Sequence, residues 1–294
     1  MKIFTQKLSK IATDTDLYLK NFFFKNKNYQ YLIKPMQYSV FSGGKRFRSS
    51  VIINMGKIFN INYQKLVIIS AAIECVHSYS LIHDDLPAMD NDDLRRGKLS
   101  THKKFNEFTA ILAGNSLLLI AFEILTSGDL KLSPSIKNEL IKILAIYCGF
   151  SGLAGGQFFD LTYENKKVSK KKAIYIQNNK TGKLFAFCCE CSGIINRQNF
   201  QKRKKLKNIG LDIGLLFQIA DDLIDIKGDS KVVGKSTKRD QNKGKPNLVN
   251  LIGYEETLKF AYKLKHKIIK KIKTYGIKSY DLLQSIEFIL NRKF

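Results

Sequence analysis

With 294 residues, 44% of them apolar and only four prolines, the chain can bury a large core, and no Pro/Gly/Ser-rich stretch divides it, so one domain over residues 1–294 is expected, with two stacked helical halves as the weaker alternative. The net charge of +25 comes mostly from scattered lysine, abundant alongside Asn and Ile, so compositional drift accounts for it better than an acidic partner does. A nucleic-acid binder would carry its cations in a stripe interleaved with aromatics, whereas the aromatics here fall on apolar helix faces; no nucleic-acid partner is expected.

Met1–Lys20 is amphipathic and lacks the apolar segment of a secretory signal. Apolar residues then recur at helical spacing over Leu66–His83, Ile111–Leu125, Leu140–Cys148, Lys183–Ile195 and Ile209–Ile226. The stretch Ile111–Leu125 contains Asn115 and Glu123 and is read as too short for a bilayer, so no stable membrane insertion is expected. Cys75, Cys148, Cys188, Cys189 and Cys191 have no zinc spacing and no nearby histidine. They read as small buried residues of a reduced, cytoplasmic protein. Period-2 alternation and the Asn-Gly or Asp-Gly turns of hairpins are missing from the sequence. The expected fold is all-α, a bundle of about ten helices around a central cavity. Breaks are expected at Ser42-Gly43-Gly44, Leu86 to Gly97, Ser127-Gly128, Gly152 to Gly156, Lys227 to Pro246 and Gly253. They coincide with charged motifs, which puts active-site groups at helix ends.

Two acidic clusters stand in apolar surroundings. Asp84-Asp85-Leu86-Pro87-Ala88-Met89-Asp90 closes the helix Leu66–His83, and Asp221-Asp222-Leu223-Ile224-Asp225 lies in the run Leu215–Ile226. Asp221 and Asp225 are one turn apart on one helix face. Burying such carboxylates uncompensated costs several kcal/mol or more, so a cation is implied. Oxygen donors without thiolate or imidazole favour Mg²⁺, which binds few carboxylates together with phosphate oxygens. Two clusters facing one another would hold a metal-bound diphosphate.

The cations point to the same ligand. Gly43-Gly44-Lys45-Arg46-Phe47-Arg48 sets three of them after two glycines, and Arg95-Arg96-Gly97 follows the first acidic cluster. Backbone N–H groups at a helix start, with Lys45 and Arg48, suit a phosphate, and Arg95 and Arg96 suit a bidentate clamp unless they only neutralise Asp92 and Asp93. Lys180-Thr181-Gly182 and Gly234-Lys235 supply further phosphate partners. His77, two turns before Asp84, lies on the same helix face.

In this order, and joined by Gly155-Gly156-Gln157-Phe158-Phe159-Asp160 and Phe217-Gln218-Ile219-Ala220-Asp221-Asp222, the motifs resemble the head-to-tail polyprenyl synthase family, most closely its bacterial farnesyl-producing branch. The resemblance covers nearly the whole chain. It implies a homodimeric isoprenoid-synthase fold that condenses isopentenyl diphosphate with dimethylallyl and geranyl diphosphates to give farnesyl diphosphate. It also implies about three magnesium ions per site, on Asp84, Asp90 and Asp221, with Asp85, Asp222 and Asp225 in support. Arg95, Lys180, Thr181, Gln218 and Lys235 would hold the allylic diphosphate, with Lys180, Thr181 and Gln218 beside the reacting carbon. Isopentenyl diphosphate would rest on Lys45, Arg48, His77 and Arg96. Tyr79, five residues before Asp84, lies ~7.5 Å along the helix and is expected to form the floor that stops chain growth. A geranylgeranyl-producing enzyme or a non-catalytic partner subunit are the alternatives. The sequence departs from the family pattern at Ser49, usually proline, at Asn115, often aspartate, and at Gly244–Val249, which leaves the ordering near Lys245 open.

Overall fold

The computed structural model describes residues 2–227 and 244–291, so the expected phosphate partner Lys235 lies outside the described residues. The described chain is helical apart from one two-stranded ribbon, as the all-α expectation requires. It packs as two compact units, residues 2–53 with 62–138, and residues 54–61 with 139–227 and 244–291.

The first unit holds α1 (Lys2–Lys25), α2 (Gln30–Val40), the start of α3 (Phe47–Ile58), α4 (Tyr63–Asp84), α5 (Thr101–Lys104) and α6 (Glu107–Thr126). Asn62 starts α4 by accepting the N–H groups of Gln64 and Lys65, and Leu66, Ile69, Ile73 and Val76 are then fully buried. Each large aliphatic side chain so buried contributes about 1.5–3 kcal/mol. α6 meets α4 through Ala110, Ala113, Gly114, Leu117 and Ala121, a stripe at spacings of three and four whose small residues allow close approach. The His83 ring occupies the space that a Cβ on Gly114 would need.

The other side of α6 exposes Phe108, Ile111, Leu112 and Leu119. The length expected for this segment is corrected. Phe108–Ala110 extend the apolar run, and α6 is a 20-residue helix long and apolar enough to cross a membrane, as are Tyr63–Asp84 and Pro134–Thr162. In α4 that window is 72% buried inside the protein, in α6 39%; α4 is therefore a core helix and α6 a half-covered one. A hairpin is also present where none was expected. β1 (Leu94–Arg95) pairs antiparallel with β2 (Lys98–Leu99) across Arg96 (φ 53°) and Gly97 (φ 73°). Both turn residues are left-handed, as a two-residue hairpin turn requires, but two-residue strands are too short to show alternation.

The second unit continues α7 (Pro134–Cys148) into α8 (Leu153–Thr162), α9 (Lys170–Gln177), a π-turn at Asn178–Gly182, α10 (Lys183–Ile195) and α11 (Phe200–Lys227). α12 (Leu248–Ile252), α13 (Tyr254–Lys273) and α14 (Tyr280–Asn291) follow. α10 is buried from Leu184 to Ile194 against α11, which α13 and α14 also cover. All five cysteines are buried thiols, and burial pushes the Cys191 thiol up to about 12, which leaves it unreactive. Gly155 and Gly156, expected as a break, lie inside α8. A Cβ on Gly156 would overlap the backbone of Lys180, so this glycine serves close packing of α8 on the π-turn.

Candidate active site

In the first unit, α4 ends on Asp84 and the chain folds back over that end. The N–H of Asp90 donates to the Asp84 carbonyl at 2.8 Å, that of Asn91 to Leu86 at 3.0 Å, and that of Asp92 to Asp85 at 3.1 Å. Asn91 makes the reversal with φ 51°. The backbone of Asp90 is thereby brought onto Asp84. Asp85 is buried and accepts the guanidinium of Arg95, whose Nε lies 3.0 and 3.2 Å from its two oxygens, with Nη2 on Oδ1 as well. Arg95 also lies 3.6 Å from Asp92. Burial pushes the Asp85 carboxyl up and Arg95 opposes it. Burial likewise disfavours the charge on Arg95, but Asp85, Asp84 and Asp90 together hold it above its ordinary value.

Among the described residues no three Asp, Glu, His or Cys side chains form a ready-made metal cluster. The donor set nevertheless fits magnesium, a hard cation that takes one or two carboxylates plus substrate phosphates and waters.

The cationic loop belongs to the same unit. Gly43 (φ 105°) and Gly44 (φ 111°) lead into α3. The Arg96 guanidinium lies where a Cβ of Gly44 would stand and donates to the Gly43 carbonyl. His77 sits within the field of four arginines. Burial first, then Arg48, Arg96, Arg46 and Arg95, hold its pKa well below the ordinary value, so it is a neutral imidazole at pH 7. Burial and then Arg46 lower Arg96 to about 10. Arg48, His77, Arg95 and Arg96 are thus brought together, and Lys45 is exposed beside them in the chain. Further up α4, the Tyr79 ring packs edge-on against His83, 4.8 Å between centroids, and His83 Nε2 lies 3.1 Å from the Ile111 carbonyl.

In the second unit, the π-turn carries Lys180 and Thr181. Wide turns of this kind inside α-helices are frequent at functional sites. Thr181 Oγ1 donates to Gln218 Oε1 at 2.8 Å, and Gln218 Nε2 donates to Asp222 Oδ1 at 2.9 Å. Gln177 Nε2 donates to the other Asp222 oxygen, also at 2.9 Å. Asp222 thus receives two amides. Asp221 and Asp225 lie on α11 one turn apart, the first half-buried and the second buried. Lys180 Nζ lies 2.6 Å from Asp160 Oδ2, and Lys245 Nζ is 3.1 Å from the same oxygen and 2.6 Å from Glu164. Burial pushes Asp160 up, but Lys180 and Lys245 outweigh it and its carboxyl ends below the ordinary range.

Asp160, Glu164, Lys245 and Gln177 have no role that their spacing predicts: the Gly155–Asp160 motif marks the first of them and the Gly244–Val249 departure the third, while Glu164 and Gln177 carry no sequence signal. The chain around Lys245 is held despite its unusual sequence. Asn165 N–H donates to the Gly244 carbonyl at 3.0 Å, Asn250 Nδ2 to the Lys245 carbonyl at 2.9 Å, and Asn247 caps α12 through the Asn250 N–H at 2.8 Å.

Residues 29–279 match the family model described as polyprenyl synthetase. The chain is 39% identical to the farnesyl diphosphate synthase of Geobacillus stearothermophilus over 233 residues, 78% of each chain. Among solved structures it is similar to the FPP/GFPP synthase of Zymomonas mobilis, with 37% identity, a TM-score of 0.85, and coverage of 98% of this chain and 100% of that one. It is also similar to the Helicobacter pylori geranyltransferase complexed with magnesium and isoprenyl diphosphate, with 31% identity, a TM-score of 0.82, and coverage of 98% and 96%.

Proposed function

The chain belongs to the polyprenyl synthetase family, and from that membership we propose that it condenses isopentenyl diphosphate with dimethylallyl and then geranyl diphosphate to give (2E,6E)-farnesyl diphosphate. The observation that carries this reading is the arginine cluster around His77 beside the Gly43–Arg48 loop. An enzyme joining two diphosphates needs a second anion site, whereas a terpene cyclase does not.

The enzyme is magnesium-dependent. Asp84, Asp90 and Asp221 are the carboxylates proposed to hold the ions, three per site, with Asp85, Asp222 and Asp225 in support. When bound, the ions neutralise charge on the allylic diphosphate. Arg95, Lys180 and Lys235 add cationic neutralisation to the departing diphosphate, which is worth most where water is excluded. The Thr181 hydroxyl and the Gln218 amide face the carbon left electron-poor. Lys45, Arg48, neutral His77 and Arg96 hold isopentenyl diphosphate so that its double bond attacks that carbon. The departing diphosphate takes the proton, and no side-chain nucleophile is required. Residues 1–294 act as one synthase domain, a reading supported by the family match over 29–279. The exposed apolar face of α6, with Phe108, Ile111, Leu112 and Leu119, supports a homodimer. The five buried thiols support a reducing, cytoplasmic location.

The test is incubation with isopentenyl and dimethylallyl diphosphates and Mg²⁺, followed by chromatography of the products. A fifteen-carbon product is expected and none after chelation. A metal-replete protein that yields no product would overturn the reading. Tyr79, as the floor of the growing chain, makes the product length testable. Tyr79→Ala is expected to shift the product to twenty carbons or more, and an unchanged product from an active variant would assign length control elsewhere.

A further inference from the structure

The loop that carries Lys45 and Arg48 also carries Arg46, a cation to which the reaction as read above gives no task. Arg46 is 4% exposed, with a left-handed backbone at φ 47°. Its Nε donates to Asp16 Oδ1 at 2.8 Å, one terminal nitrogen donates to the Val40 carbonyl at 2.5 Å, and the other lies 3.5 Å from Glu74 Oε2. Glu74 is 2% exposed and stands on α4 one turn before His77. It receives a second donor, Ser49 Oγ, at 2.8 Å. Burial disfavours charge on Arg46, but Glu74 and Asp16 hold its pKa above the ordinary value. Arg46 cannot reach a phosphate without leaving two carboxylates, so it is no substrate ligand.

Its location gives it another use. Gly43 and Gly44 leave the loop few restraints of its own, since glycine loses more conformational freedom on ordering than any other residue. An inward-turned, fully engaged arginine between Lys45 and Arg48 supplies the missing restraint. Charge-assisted bonds of this kind are stronger than neutral ones. The charge of Glu74 also opposes the lowering of the Arg96 pKa, so the same carboxylate that holds Arg46 acts electrostatically on Arg96. Ser49 ties α3 into the network, since it is the third residue of that helix and its hydroxyl adds a donor to Glu74.

We propose that Asp16, Arg46, Glu74 and Ser49 are positioning residues for isopentenyl diphosphate, a buried network that fixes the Gly43–Arg48 loop so that Lys45 and Arg48 meet the diphosphate. The proposal rests on the prenyl-transfer reading given above. The network acts on one substrate and leaves the allylic one unaffected.

The experiment varies isopentenyl diphosphate at saturating geranyl diphosphate, then the reverse, with the full chain and Mg²⁺, and adds equilibrium titration of isopentenyl diphosphate alone. Glu74→Gln keeps the shape and removes a negative charge, so the loop becomes more positive. A purely electrostatic role for Glu74 would lower the KM for isopentenyl diphosphate. Positioning raises it about tenfold, as loss of a charge-assisted contact does, with KM for geranyl diphosphate and kcat within about twofold. Asp16→Asn is expected to match, and Ser49→Ala to raise that KM by roughly two- to fivefold, with Ser49→Thr restoring it. An unchanged or lowered KM in these variants, with melting temperature confirming a folded chain, would overturn the proposal. Should Glu74→Gln not fold, Asp16→Asn and Ser49→Ala decide in the same way. A wild-type chain that makes no product, yet binds isopentenyl diphosphate with an affinity dependent on Glu74, would sink the synthesis reading and leave the network standing.

Discussion

The Gly43–Arg48 loop and the Asn178–Gly182 turn present cations by opposite means. In the loop the backbone does the placing, with left-handed residues at Gly43, Gly44 and Arg46 and again at Arg96 in the facing hairpin. Side chains such as Arg96 then lie directly on bare backbone. Around the π-turn the backbone stays helical from Lys170 to Ile195, and polar side chains do the placing, through Asp160, Gln177, Gln218 and Asp222. The loop should therefore be intolerant of an added methyl, and the turn intolerant of an isosteric loss of charge or donor.

The largest effect tests the carboxylates. Asp221→Ala and Asp84→Ala are each expected to lower kcat by at least about 10²-fold, the scale of losing one electrostatic stabiliser of the transition state. Near wild-type turnover in either would break the metal assignment. Next comes the loop. Gly44→Ala forces a Cβ into the Arg96 guanidinium from a backbone at φ 111°. It should raise the KM for isopentenyl diphosphate about ten- to a hundredfold with a smaller change in kcat. An equal loss in both parameters would mean that the loop is not specific to that substrate. The turn gives a smaller effect, read as stability. Gln177→Leu leaves one oxygen of buried Asp222 without its amide donor and should cost about 1–3 kcal/mol, measured by thermal denaturation.

The smallest effect is a change in acid sensitivity. The folded-state pKa of Asp160 is depressed, so its contribution is fully present above the ordinary carboxylate value and is lost as pH falls through the lower folded value. Asp160→Asn should remove that dependence and flatten the acid limb of the stability curve below about pH 4. A wild-type limb that keeps its slope in the variant would assign it to other carboxylates.

Much of this was legible in the chain itself. The periodicity of Leu66–His83 locates a helix that the structure ends at Asp84, and the glycine pair before Lys45 marks the left-handed turn. The rest was hidden for physical reasons. A helical glycine that permits close packing, as Gly156 does, has the same letter as a helix breaker. Three adjacent cations in Lys45-Arg46-Phe47-Arg48 look alike until Asp16 and Glu74, both distant in sequence, draw the middle one inward. Asp160 and Lys245 are separated by 85 positions, and only the folded chain brings them together. The outward face of α6 is apolar like its inward face, so the pattern could not say which half is covered.

The π-turn has a consequence for the permitted length of the chain. A π-turn is a helix with one residue more than its backbone needs. Deleting one residue from 178–182 would let the segment close as an ordinary helix with Lys183 to Ile195 near their present phase, because the wide turn already absorbs the extra residue. Phe185 would stay against Phe217, whose ring centroid lies 5.3 Å away, and only the placing of Lys180 and Thr181 would change. A deletion inside Lys183–Ile195, where nothing absorbs it, would instead swing every later side chain by ~100° about the axis. Shortening the chain by one residue at the turn should therefore cost activity more than fold, and shortening it a turn later should cost the fold.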